Sequence, residues 1–65
     1  MPDQLILTPN IDGADDFYAE LLATHEGLSN AESAALNARL ILVLANQVGS
    51  RVVLSQALAA ASLNK

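Results

Sequence analysis

An all-α fold, a small antiparallel three-helix bundle with an extended N-terminal arm, is what this 65-residue chain predicts. Three observations carry that expectation. Apolar residues recur at alternating three- and four-residue spacing in three separate segments, the pattern of one helical face. Ser29 and Glu32 form a Ser-x-x-Glu capping box, a strong start signal for a helix. Gly27 and Gly49 sit just past apolar periodic runs, where a left-handed residue ends a helix. The chain reads as a single helical domain, residues 1–65, with an arm over 1–11 and helices over about 13–26, 30–48 and 51–63.

The arm comes first. Pro9 pushes Thr8 toward an extended conformation, so residues 4 to 8 read as extended chain. Leu5, Ile6 and Leu7 are three large apolar residues in succession. They are expected to pack over the helices of their own chain or to cross to a second subunit. The first helix is expected to start near Asp12, with Asp12 capping its first turn and Asp15 and Asp16 suiting the positive end of its dipole. Ala14, Phe17, Tyr18, Leu21, Leu22 and His25 share one face. Gly27 stops this helix, and Leu28 folds back on its last turn.

The second helix opens at the capping box. Leu36, Leu40, Val43 and Leu44 gather on one side at about 100° per residue, with Ile41 and Val48 widening that side. That stripe is expected to pack on the chain's own helices. Glu32, Arg39 and Asn46 make the wet side, and Leu42 falls near it. In the third helix, capped by Ser50, the apolar face is Val53, Leu54, Ala57, Leu58 and Ala61, with Arg51, Ser55 and Ser62 turned outward. Asn64 and Lys65 are expected to fray.

Composition bounds the function. Hydrophobic residues make up 52% of the chain and charged ones 15%, against about 25% charged in an average domain. A chain this short hides only roughly 60% of its unfolded surface. There is no cysteine, so neither disulfides nor thiolate metal sites can staple it. Oligomerisation is the remaining common remedy, and a homodimer is expected. The net charge is −4, and Arg39, Arg51 and Lys65 are scattered. Binding to nucleic acid needs clustered Lys and Arg, so no nucleic-acid partner is expected. Anionic membranes are disfavoured for the same reason. Arg39, Asn46, Gln47 and Arg51 interrupt the apolar region before the roughly 20 residues of a bilayer span accumulate. With no secretory signal in view, the expected location is the cytoplasm.

Candidate chemistry is sparse. His25 is the only histidine. It reads as a structural residue at a helix end, where an imidazolium suits the dipole. No catalytic residue, metal site or cofactor is assigned: a general base would need a set of substrate-binding neighbours, and a metal more His or Cys ligands. The acidic edge of Asp12, Asp15, Asp16 and Glu20 is a solvated face or a dock for a basic partner surface. Ser29 lacks the Asp-Ser-Leu context of a phosphopantetheine carrier and already serves as a cap. Asn37 and Gln47 lie within or beside an apolar arc, where an amide must be hydrogen-bonded. They are expected to meet a helix end or the arm, or to form a polar pair at a symmetric interface; Tyr18 could offer its hydroxyl to either. Candidate partner or oligomer contacts are therefore Leu5, Ile6, Leu7, Asn37, Leu42 and Gln47. In the alternative reading, Tyr18, His25, Asn37 and Arg39 converge on a small-ligand or catalytic pocket between helices of two subunits.

The order of residues adds a resemblance. Phe17-Tyr18, Leu21-Leu22, His25-Glu26-Gly27-Leu28-Ser29, Leu36-Asn37-Ala38-Arg39-Leu40 and Gly49 follow one another at set spacing. In this the chain resembles a family of short bacterial proteins made of one domain of unknown function, over nearly its whole length. Members of that family are encoded beside flavin-dependent hydroxylases and other enzymes of aromatic-compound breakdown. The resemblance implies a non-enzymatic accessory or regulatory subunit of a metabolic enzyme, with no activity of its own assigned.

Overall fold

The computed structural model describes residues 4–62. Three helices follow one another: α1 (Ala14–His25), α2 (Asn30–Val48) and α3 (Arg51–Ala61). Among the described residues there is no strand, and the all-α expectation holds. Each bound lies within two residues of the expected one. The first three residues of the arm and the expected frayed end, Asn64 and Lys65, lie outside the described residues.

Local chemistry explains the boundaries. The Ser29 hydroxyl accepts from the Glu32 amide at 3.1 Å, and the Glu32 carboxylate accepts from the Ser29 amide at 2.9 Å. Two otherwise orphaned amides are thereby satisfied reciprocally. The Ser50 hydroxyl accepts from the Val53 amide at 3.2 Å and starts α3 two residues after α2 ends. Gly27 and Gly49 take φ of 83° and 79°, as the helix ends require. The Leu28 amide donates to the His25 carbonyl, so the chain folds back over the last turn of α1.

The start of α1 corrects the sequence reading. The cap is Gly13, not Asp12, and no side chain bonds to the first-turn amides. Gly13 adopts the left-handed region at φ 61°, ψ 49°, which brings its carbonyl to the Phe17 amide at 2.9 Å. A glycine enters that region without steric penalty, so the backbone turns in without a carboxylate.

The packing is open. No described residue is buried; the best-covered ones are only half-buried. Leu21 of α1 and Leu36 and Leu40 of α2 line one shallow groove, while Ala45, Val53, Leu54 and Ala57 are partly covered around the α2–α3 corner. The surface is 5742 Å² for a 6.8 kDa chain, where a compact monomer of that mass exposes about 3,950 Å². The radius of gyration is 13.6 Å, against about 11 Å for a compact domain of this length. The expected covering of Val43, Leu44 and Ile41 by the chain's own helices is therefore overturned: all three are exposed, as are Phe17, Tyr18 and Leu22 on α1 and Leu58 and Ala61 on α3. The reason is spacing: α2 comes close to α3 at their corner and hardly at all to α1. The groove that α1 and α2 share stops at Leu40.

Candidate functional site

Two features stand out, a polar junction between α1 and α2 and an uncovered turn of α2. The junction is built on His25, the last residue of α1. Its Nδ1 lies 2.8 Å from the Leu21 carbonyl one turn back, and its Nε2 lies 2.8 Å from Oδ1 of Asn37, two turns into α2. The Leu21 carbonyl can only accept, so Nδ1 carries a proton. Oδ1 of Asn37 facing Nε2 accepts a hydrogen bond from it when the ring is an imidazolium. The neutral ring keeps its place if the Asn37 amide turns over and Nδ2 donates to Nε2. The Leu21 hydrogen bond first, and that of Asn37 second, hold the His25 pKa above its ordinary 6.5, against a small opposing effect of desolvation.

This arrangement sorts the sequence candidates. His25 and Asn37 meet at the end of α1. Arg39 does not join them. Two residues on from Asn37, it is rotated by about 200° around α2 and faces away. Tyr18 is on the face of His25, two turns earlier, but is exposed and makes no hydrogen bond among the described residues. Gln47 is likewise exposed. With both ring nitrogens engaged, His25 offers no free lone pair to a substrate. Among the described residues, no three His, Asp or Glu side chains are placed to hold a metal ion.

Among the described residues, one hydrogen bond joins the arm to α3 of its own chain. The Leu5 amide donates to Oε1 of Gln56 at 2.8 Å, and Leu5 is half-buried there. Ile6 and Leu7 are exposed. Gln56 was not singled out by the sequence reading; a glutamine on a helix carries no signal of the distant backbone it will meet.

The uncovered turn is Ile41-Leu42-Val43-Leu44. Their exposures are 63%, 70%, 64% and 50%. Four consecutive helical residues point about 100° apart and so sample every side of the helix. One complete turn of large aliphatic side chains thus stands open all round. No described helix is long and apolar enough to cross a membrane. Leu42, expected to point away from the chain's own core, is among the most exposed of these residues.

Comparison with curated proteins gives no match, and comparison with solved structures gives none either. A family model described as a protein of unknown function, DUF2783, matches residues 5–63. That span holds the helix caps, the His25–Asn37 junction and the open turn of α2, and the chain belongs to the DUF2783 family.

Proposed function

We propose that this chain is a non-enzymatic helical interaction module, homo-oligomeric, that serves as an accessory or regulatory subunit of a metabolic enzyme. The observation that carries this reading is the lack, among the described residues, of any buried side chain beside a full turn of exposed aliphatic residues. A stable fold needs that surface covered, since apolar burial is its main driving force. Monomeric proteins rarely leave contiguous apolar patches of this kind, whereas interaction sites do. The closed ring nitrogens of His25 favour a structural role over a catalytic one.

The enzyme side of the proposal follows the family resemblance. It points to flavin-dependent hydroxylases and other enzymes of aromatic-compound breakdown in the bacterial cytoplasm. Leu42 and the acidic edge of Asp12, Asp15, Asp16 and Glu20 would face that enzyme. Affinity capture of the full chain from its native cell, with quantitative mass spectrometry, tests this. One enzyme should be recovered in near-stoichiometric amount and lost with Leu42→Asp. Recovery of no specific enzyme would remove the accessory role.

A further inference from the structure

We infer that Asp12 is a site of spontaneous isomerisation: the backbone amide of Gly13 attacks the Asp12 side chain and leaves an isoaspartyl linkage between the arm and α1. The inference goes beyond the accessory role and does not depend on it.

Sequence and structure select this pair together. Asp12 is followed by glycine, and no other Asp or Asn of the chain is. A side chain on the following residue shields the attacking nitrogen. Glycine has none, so another group can come close to its backbone. Asp12 and Gly13 form an exposed turn immediately before α1. Among the described residues, the Asp12 carboxylate accepts no hydrogen bond and the Gly13 amide donates none. The capping bond that would have pinned the carboxylate over the first turn is absent. The side chain can therefore swing toward the amide. Gly13 is anchored only on its far side, where its carbonyl accepts from the Phe17 amide at 2.9 Å.

Asp15 and Asp16 supply the internal comparison. Both are exposed, but both lie within the first turn of α1. A helix holds ψ at about −42°, and ring closure requires the aspartate ψ to rotate far from that value. Each also precedes a residue that carries a side chain, Asp16 and Phe17.

The reaction needs only water. It starts from the protonated carboxyl. The Gly13 nitrogen bonds to Cγ of Asp12, the bond from Cγ to the hydroxyl oxygen breaks, and that hydroxyl leaves as water with the amide proton. The product is a cyclic succinimide. Water then adds to the main-chain carbonyl carbon of Asp12, and the bond from that carbon to the Gly13 nitrogen breaks. The main chain now runs through Cβ and Cγ, and the former main-chain carbonyl is a free carboxylate. One water is lost and one regained, so mass and oxidation state are unchanged. The connection from arm to α1 is longer by one carbon.

The test ages the full-length chain at neutral pH and physiological temperature, folded and in urea, beside Asp12→Glu. Glutamate keeps the charge, but its ring would be larger by one atom and closes far more slowly. Isoaspartate is counted by labelled methyl transfer from S-adenosylmethionine with an isoaspartate-specific methyltransferase. Electron-transfer fragmentation, which separates the two linkages, locates it. In the folded chain isoaspartate should accumulate at Asp12 at the rate seen in urea, with Asp15 and Asp16 silent. Asp12→Glu should lose nearly all of the label while circular dichroism shows unchanged helix. Label placed elsewhere in the folded chain, or an Asp12 that reacts only once urea unfolds the protein, overturns the inference.

Discussion

Nε2 of His25 and Oδ1 of Asn37 stand 2.8 Å apart and tie the end of α1 to the second turn of α2. This is the only side-chain to side-chain hydrogen bond between helices among the described residues. It joins two elements whose apolar contact is confined to a shallow groove lined by Phe17, Leu21, Leu36 and Leu40.

Its pH dependence follows from the direction of the shift. The folded His25 pKa lies above its ordinary 6.5. A group raised in the folded state contributes stability that is fully present below the unfolded pKa and lost as pH rises through the folded pKa. The thermal midpoint should therefore fall modestly from about pH 6 to pH 8, beyond any drift shared by a His25→Gln variant. Proton NMR of the imidazole should show the raised midpoint, and Asn37→Leu should lower it. An unshifted midpoint would contradict the two hydrogen bonds.

The capping box should be measurable by itself. Ser29→Ala removes the acceptor of the Glu32 amide and should cost about 1 kcal/mol, within the 0.5–2 kcal/mol of such caps. Urea unfolding at fixed protein concentration reads the loss. Ser29→Asp, which keeps an acceptor oxygen, should restore most of it.

Gly49 should resist substitution for a backbone reason alone. A Cβ added there meets nothing within 4 Å, yet φ is 79°. Gly49→Ala should cost about 1–3 kcal/mol through strain. Asn, which tolerates positive φ better, should cost less. Circular dichroism during thermal unfolding checks the order Gly, Asn, Ala.

The arm should detach without the fold collapsing. Gln56→Ala removes the acceptor of the Leu5 amide. Hydrogen exchange at Leu5 should rise toward the unprotected rate, while global stability changes by about 1 kcal/mol or less. Gln56→Glu keeps a carbonyl-like oxygen at the same reach and should retain protection.

The three helices, their caps at Ser29 and Ser50, and their ends at Gly27 and Gly49 were legible in the sequence because each rests on residues within four positions of one another. Gly13 was missed in favour of Asp12, since both turn chemistries suit a helix start and only the backbone path chooses between them. What the tertiary structure alone decided is which apolar residues stay uncovered. Periodicity marks a helical face but not how closely a neighbour will lie on it. The sequence places Val43 and Leu44 on the core-facing side; α1, which shares a groove with α2 only as far as Leu40 and otherwise stands off it, leaves them in the open. The meeting of His25 with Asn37 was likewise a matter of three dimensions, because it depends on the angle at which two helices cross, and no local spacing encodes an angle.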